Sequence, residues 1–325
     1  MLAFILRRIG QSAFVILAMA ALVFLSVFAI GNPIDILLAP DADQIEREQA
    51  IVRLGLDKPM WEQFFVFLVN MLHGDLGRSF VHGSDAVHLI LGRLPATLEL
   101  AIVALFLAAL VGVPLGVIAG MKSDTWVGRS IMTGSIVGFS LPNFWFGIMM
   151  ILLFAVELQW LPSGGRGPTG TLFGLEFSLL NPAGWPNLIM PAMTLAIYKV
   201  SLVIRLACAG TREALLQDYV RFARAKGLSR TRIIGVHVLK NILIPIVTVL
   251  GLELGSMIAF AVVTETVFAW PGMGKLLIDS IARLDRPVIV AYLMIVVAMF
   301  AMINLIVDIL YSVLDPRVRI TETAG

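Results

Sequence analysis

Long apolar stretches separated by shorter polar segments dominate this chain. A helix needs about 20 mostly apolar residues to cross the ~30 Å hydrocarbon layer of a bilayer. Six stretches meet that length: Ile9–Ile30, Leu98–Gly120, Ile131–Val156, Leu188–Cys208, Ile242–Val263 and Val288–Tyr311. The pattern predicts an all-α polytopic membrane protein with six transmembrane helices. Because six is even, both termini are expected on one side of the membrane.

The composition agrees with a lipid environment. Of the 325 residues, 59% are hydrophobic and 14% are charged, against about 45–50% and about 25% in soluble domains. The mean hydropathy is +0.93. The single cysteine, Cys208, cannot form an internal disulfide, and the net charge of +2 does not favour a nucleic acid as partner. These values exclude a disordered chain and a secreted disulfide scaffold.

The distribution of Lys and Arg predicts the orientation, because cytoplasmic loops carry an excess of both. Basic residues cluster near both termini and in the connections after the second and fourth spans, whereas acidic residues outnumber them over 32–95. We therefore expect a multi-pass protein of the cytoplasmic (inner) membrane with both termini cytoplasmic. The expected divisions are an N-terminal transmembrane helix over 1–31, an extracytoplasmic segment over 32–95 with helices at Gln44–Leu54 and Pro59–Met71, a transmembrane core over 96–312 and a cytoplasmic tail over 313–325.

Small residues four apart predict close helix contacts within the membrane, since they let two backbones approach. These stripes are Gly112, Gly116 and Gly120 in the second span, Gly134 and Gly138 in the third, and Gly251 and Gly255 in the fifth. Pro114 and Pro142 also lie within predicted spans. Each either bends a helix that packs against its neighbours or breaks a helix that lines a pathway.

Ionisable residues inside the spans are candidates for function, because an unpaired charge at the bilayer centre costs at least ~2.5–3.5 kcal/mol. Lys199 and Glu253 lie near mid-membrane, and we expect them to pair or to face a shared cavity. With Asn143 and Glu265 they form the candidate translocation-pathway set. Glu99, at the edge of a span, is expected at the membrane surface. An ion-coupled secondary transporter or channel that uses Lys199 and Glu253 stays an alternative, although no span carries regularly spaced charges.

The basic segment, residues 209–241 between the fourth and fifth spans, holds seven Lys or Arg against two acidic residues. Gly227 permits a left-handed turn and Ser229 can cap the helix that follows. The pattern predicts helices over Arg212–Lys226 and Thr231–Leu239. Apolar residues in the basic segment need cover, either from the helix bundle or from another protein. The basic segment is expected to dock into a partner subunit, and the alternative is that it lies on anionic lipid.

Within the basic segment, the run from Asp218 to Ser229 resembles the coupling loop of ABC importer permeases. That loop reads roughly Glu-Ala-Ala, three residues, Gly, nine residues and Ile-x-Leu-Pro, and Ala223, Gly227 and Leu239 match it. The departures from it, at Arg221, Phe222, His237 and Lys240, are those of the dipeptide/oligopeptide/nickel permease branch. Residues 74–79, 93–100, 265–274, 304–308 and 315–317 resemble the same branch, in the same order.

The resemblance implies a type I ABC importer fold in which this chain is the B-type, pathway-forming permease subunit. It implies a second homologous permease, two ATPase subunits that bind ATP and Mg, and an extracytoplasmic solute-binding protein, with no cofactor in this chain. The substrate class stays open between di- or oligopeptides, a nickel complex and other small solutes. ATPase coupling is assigned by the resemblance to Tyr219, Arg221, Ala223, Arg224, Ala225, Lys226, Gly227, Leu228, Ser229 and His237.

No motif for catalysis or nucleotide binding is found in the sequence. Gly274-Lys275 lacks the earlier glycine and the following Ser or Thr of a phosphate-binding loop, so ATP hydrolysis is expected in partner subunits and not here. His73, His82 and His88 are nine and six residues apart. No two of them share a helical turn, so they predict no metal site.

Overall fold

The computed structural model describes residues 2–29, 43–53 and 57–314, and over these ranges the chain is mostly helical, as the apolar pattern predicts. Residues 32–42 of the expected extracytoplasmic segment, and the expected tail beyond Leu314, lie outside the described residues. The helices are α1 (Leu2–Ala29), α2 (Gln44–Arg53), α3 (Met60–Leu72), α4 (Ala86–Met121), α5 (Trp126–Ser140), α6 (Asn143–Met150), α7 (Trp185–Leu216), α8 (Asp218–Ala225), α9 (Arg230–Arg232), α10 (Leu239–Val267), α11 (Met273–Ala282) and α12 (Arg286–Leu314).

Shorter elements complete the described chain. A π-helical stretch, Ile151–Glu157, continues α6, and a second, Ile233–Val238, joins α9 to α10. Strands β1 (Gly170–Leu172) and β2 (Leu175–Phe177) form an antiparallel hairpin before α7. Single 3-10 turns at Ser178–Leu180 and Pro182–Gly184 link the hairpin to α7.

The third predicted span, Ile131–Val156, is not one helix. Five described helices are long and apolar enough to cross a membrane, and a sixth span exists only if α5 and the α6 stretch, bent by 101°, count together. The break falls at Leu141-Pro142, where Leu141 is extended at ψ 129°. Proline has no N–H to donate and pushes the residue before it out of the helical region. Of the two interpretations of Pro142, the broken helix is the one observed.

Helix α4 begins 12 residues earlier than the predicted span, at Ala86. The Asp85 carboxylate accepts a hydrogen bond from His88 N at 2.8 Å, which satisfies one N–H of the first turn. Pro95 and Pro114 both lie inside this helix. The predicted helices Gln44–Leu54 and Pro59–Met71 are observed as α2 and α3, although Leu54 lies outside the described residues.

The described residues within 1–94 and 275–305 form a first compact unit. Its apolar core joins α1 to α12 through the buried residues Ala20, Val23, Val290 and Met294. Hydrogen bonds to the Asp285 carboxylate hold the loop that precedes α4. The Asp285 carboxylate, fully buried, accepts from the Ser79 hydroxyl and from Phe80 N at 3.0 Å. The motif at 74–79 thus ends in a buried hydrogen-bond network.

The described residues within 95–274 and 306–314 form a second compact unit. The glycine stripe of α4 packs against α7, as predicted. A Cβ placed on each glycine would lie 2.5–2.7 Å from a Cβ of α7. The three contacts repeat every four residues on both helices: Gly112 with Val203, Gly116 with Ala207, and Gly120 with Thr211. Only glycine permits this approach of the two helices.

The other two predicted stripes behave differently. Gly138 lies close to Ser201, and Gly251 faces Val307, whose Cγ2 would lie 2.7 Å from an added Cβ. Gly134 has nothing within 4 Å of an added Cβ, so it makes no close helix contact among the described residues.

Candidate functional site

The basic segment is built as a helix, a break, a short helix and a tight turn. Helix α7 continues to Leu216, Gln217 is extended at ψ 149°, and α8 follows from Asp218. The single predicted helix Arg212–Lys226 is therefore wrong, because its first turns belong to α7. The turn itself is confirmed. Gly227 has φ +75°, a conformation that costs glycine nothing, and the Ser229 hydroxyl accepts from Arg232 N at 3.4 Å.

The second predicted helix of the basic segment, Thr231–Leu239, does not end where expected. The chain runs from α9 through the π-helical stretch Ile233–Val238 directly into α10. The π-helical turns absorb extra residues without ending the helix, so no terminator separates the basic segment from the fifth apolar stretch. Both ends of the basic segment are thereby joined to long helices.

One face of the basic segment is part of the core of the second unit. Val220, Ala223, Ile233 and Val238 are buried and cluster with apolar residues of α4, α7 and α10. The opposite face leaves large apolar side chains uncovered, since Leu216 is 71% exposed and Phe222 is 61% exposed. Burial of the inner face fixes the basic segment, so the exposed apolar residues are presented on a rigid support.

The residues expected to couple to an ATPase are brought together on this support. Arg221 pairs with Asp218 at 3.5 Å, and the Lys226 ammonium group lies 4.6 Å from the centre of the Phe222 ring. Beside them is a cavity of about 430 Å³ lined by Arg224, Arg230 and apolar residues. Of the ten, Ala223 is buried, Leu228 and His237 are half-buried, and Tyr219, Arg221, Arg224, Ala225, Lys226, Gly227 and Ser229 are exposed.

Three of the four expected pathway residues line one cavity of about 360 Å³. Lys199 of α7 and Glu253 of α10 form an ion pair, which confirms that they meet. Ser256 Oγ donates to Glu253 Oε2 at 2.7 Å and lies 3.2 Å from Lys199 Nζ. Asn143, the first residue of α6 after the break in the third apolar stretch, reaches the same cavity.

Glu265, the fourth expected pathway residue, lies elsewhere and is fully buried. The Thr97 hydroxyl donates to Glu265 Oε1 at 2.6 Å and accepts from Met273 N at 2.9 Å. Trp270, also fully buried, donates from Nε1 to the Ala96 carbonyl at 3.0 Å. Residues 265–274 are therefore packed against Ala96 and Thr97 of α4. Glu265 does not line the cavity that the other three pathway residues share.

A buried ion pair between Glu99 and Arg166 was missed by the sequence argument. The Glu99 side chain is fully buried and accepts from Arg166 Nη2 at 2.8 Å and from Leu179 N at 2.6 Å. Arg166 Nε also donates to Ser178 Oγ at 3.1 Å. Glu99, expected at the membrane interface, is thus buried inside the protein and paired with Arg166. A signal was present, since Arg166 is the one basic residue between the third and fourth apolar stretches.

Histidines do not gather into a metal centre in the part of the chain that the structure describes. No group of three or more His, Cys, Asp or Glu side chains there has the arrangement to hold a metal ion. The His73 ring instead bonds through Nδ1 to the Val69 carbonyl oxygen at 2.8 Å.

The folded arrangement agrees with the comparisons to known proteins. Residues 112–320 match the family model of the binding-protein-dependent transport system inner membrane component. Residues 1–101 match the model of the N-terminal part of the same kind of membrane component. The chain belongs to this family. It is therefore a multi-pass transport component of the inner membrane and not a catalytic enzyme.

Curated relatives of this permease family match over nearly the whole chain. The di/tripeptide transport system permease protein DppB of Pseudomonas aeruginosa is 38% identical over 98% of this chain and 99% of its own length. The dipeptide transport system permease protein DppB of Escherichia coli is 37% identical over the same shares. The oligopeptide transport system permease protein AppB of Bacillus subtilis is 38% identical over 98% of this chain and 100% of its own.

A solved structure supports the fold. A chain of the MetNI methionine ABC transporter in an inward-facing conformation superposes with a TM-score of 0.53 at 15% identity, covering 70% of this chain and 96% of that one. At this identity the likeness concerns the fold alone. It confirms the ABC importer transmembrane fold that the motifs of the basic segment imply.

Proposed function

We propose that this permease forms part of the translocation pathway of an ATP-driven importer that carries di- and oligopeptides across the cytoplasmic membrane. The peptide cargo is supported by the three relatives, which are named as di/tripeptide, dipeptide and oligopeptide permeases. The energy source is supported by the basic segment. The sequence contains no phosphate-binding loop, so the ATP is expected to bind to another subunit. The basic segment offers such a subunit a rigid, partly apolar surface on which to dock.

The observation that carries the proposal is the two-faced construction of the basic segment. Its inner face is buried with Val220 and Val238, and its ends continue into α7 and α10. A displacement of α8 is therefore passed to two long helices, whereas a flexible loop would absorb it. The exposed side chains of Leu216 and Phe222 supply apolar area that a partner can cover.

The complete importer proposed here has four further subunits. A second, homologous permease completes the pathway, two ATPases bind ATP and Mg and dock on the basic segments, and a solute-binding protein delivers the peptide from outside. ATP binding draws the ATPases together and switches the pathway to outward-facing, and hydrolysis resets it. The Arg- and Lys-rich basic segment then faces the cytoplasm, in keeping with the excess of basic residues in cytoplasmic loops.

The test is retention of the ATPase subunits by a variant of the exposed face. Phe222→Ser removes an apolar side chain from the docking surface while leaving the buried face intact, so we expect about tenfold or greater loss of co-purifying ATPase, as for a central interface residue. Uptake of peptide into proteoliposomes should fall with it.

Phe173→Ser is the matched control, because Phe173 at the hairpin turn is 96% exposed and far in sequence from the basic segment. It should retain the ATPases at the wild-type level. Equal retention by both variants and the wild type would remove the docking role from this face.

A further inference from the structure

The cavity around Lys199 and Glu253 holds opposite charges near the middle of two membrane-length helices. A buried ion pair adds little net stability, because desolvation of both ions offsets their attraction, and apolar replacements are often neutral or stabilising. Packing of α7 against α10 thus gives no reason for charges at this depth. Charged residues within spanning helices most often mark a path for a substrate or an ion.

The ion pair is accessible from the cavity. The Lys199 side chain is 12% exposed and that of Glu253 is 26% exposed. Ser256 Oγ lies within hydrogen-bonding distance of both charged groups, so it can bond to either one if the pair separates. Asn143 adds an amide at the N-terminal end of α6, and Leu195, Met257 and Phe260 supply apolar wall.

We propose that this cavity is a subsite for the charged ends of a short peptide, with Lys199 holding its carboxylate and Glu253 its ammonium group. The inference rests on the proposed function and names the part of the cargo that the permease recognises. When a zwitterionic peptide binds, the ion pair between Lys199 and Glu253 is replaced by two ion pairs with the peptide. No unpaired charge therefore remains in the cavity with or without the peptide. A solute with only one charged group would leave either Lys199 or Glu253 without a counter-charge, and an unpaired buried charge is strongly destabilising.

The size and lining of the cavity suit this role. About 360 Å³ lies within the ~300–1,000 Å³ typical of small-molecule sites. Every unmodified peptide carries the two terminal charges, whereas its side chains vary. Recognition of the termini beside an apolar wall accepts many peptides and rejects uncharged analogues of the same shape.

Protection of a cysteine in the cavity tests the subsite directly. The importer carrying Asn143→Cys in a Cys208→Ala background is assembled in nanodiscs without solute-binding protein or ATP, and the rate of labelling by N-ethylmaleimide is measured. Dialanine at about ten times its dissociation constant should slow labelling about tenfold, since the free fraction follows simple mass action. N-acetyl-dialanine N-methylamide, which lacks both charges, should not slow it.

The charge variants decide between recognition and a purely structural pair. Lys199→Met and Glu253→Gln should each abolish protection by dialanine, while Lys58→Met, which removes the lysine of an exposed pair with Glu62, should keep it. Phe260→Cys provides a second reporter at the cavity rim. Protection by the capped peptide, unchanged protection in both charge variants, or none by dialanine would overturn the subsite.

Failure of the proposed function is read separately from failure of the subsite. With solute-binding protein and ATP present, the wild-type importer should take up dialanine or a longer peptide into proteoliposomes. Absence of any peptide uptake contradicts the proposed function, whereas uptake without cysteine protection contradicts the subsite alone.

Discussion

Gly227 is the residue on which the shape of the basic segment depends most directly. Its φ of +75° lies in the left-handed region, and an added Cβ would meet nothing within 4 Å. Any effect of a substitution here therefore comes from backbone conformation and not from a clash. This separates Gly227 from Gly112, Gly116 and Gly120 of α4, where α7 leaves no space for a side chain.

Gly227→Val is expected to uncouple ATP hydrolysis from peptide uptake. A side chain in the left-handed region costs about 1–2 kcal/mol, and a β-branched one resists it most, so the turn between α8 and α9 should shift. In proteoliposomes, ATP hydrolysis should persist while uptake per ATP falls. Gly227→Asn is the control, because asparagine tolerates this region. Normal uptake by the valine variant would speak against a rigid coupling turn.

Glu99 and Arg166 show that the position of a residue along the chain does not reveal its partner. Glu99 stands at the edge of an apolar stretch, which suggested a surface location. In the folded chain its side chain is fully buried, and its carboxylate accepts hydrogen bonds from Arg166 and from the N–H of Leu179. The partner is 67 positions away along the chain, so no local pattern could assign it.

Among the elements, the contact between α4 and α7 is the one whose sequence signal proved most informative. Three glycines at intervals of four predicted a close approach, and each one faces a different residue of α7 at the same interval. In lipid, apolar surface gives little drive for helix association, so the packing permitted by small residues matters more than in water.

Gly116→Val should loosen this contact. The added side chain would overlap Ala207 Cβ, 2.5 Å from the ideal Cβ, and the Ile204 carbonyl oxygen at 2.6 Å. Overpacking of this kind costs about 1–3 kcal/mol, measurable as a lower midpoint of thermal unfolding of the purified complex. Gly134→Val tests the reasoning, since Gly134 has open space around its Cα. A similar loss of stability in both variants would mean that helix propensity, not contact, is responsible.

For the molecule as a whole, sidedness is the property on which the proposed importer depends. The excess of Lys and Arg in cytoplasmic loops predicts that the basic segment lies in the cytoplasm and the β-hairpin outside. Trp126, at the start of α5, is 78% exposed and Phe173, in the β-hairpin, is 96% exposed, so each can report one of the two expected sides.

Single-cysteine variants in a Cys208→Ala background should report this orientation. Phe173→Cys is expected to react with a membrane-impermeant maleimide in cells whose cytoplasmic membrane is intact, once any barrier outside that membrane has been made permeable. Trp126→Cys, in the connection expected on the same side as the basic segment, should react only after the cytoplasmic membrane is permeabilised. The reverse order of labelling would invert the topology and exclude docking of cytoplasmic ATPases on the basic segment.

Local patterns were sufficient for the class of fold and for the turn at Gly227. Apolar length identifies membrane helices because lipid imposes a fixed thickness. Gly227 and Ser229 predict the turn because left-handed backbone and helix capping depend on neighbours within a few residues. The apolar content of the basic segment indicated that part of it needs cover, but it did not separate the buried Val220 and Val238 from the exposed Phe222.

Which residues contact each other across the fold could be determined only from the tertiary structure. Pro142 allowed two interpretations until the 101° break appeared. The separation of Glu265 from the cavity and the pairing of Glu99 with Arg166 also required it. Lys199 and Glu253 could be suspected of meeting because an isolated charge in lipid is costly. Which groups surround them depends on the register between α6, α7 and α10, and no local sequence pattern encodes that register.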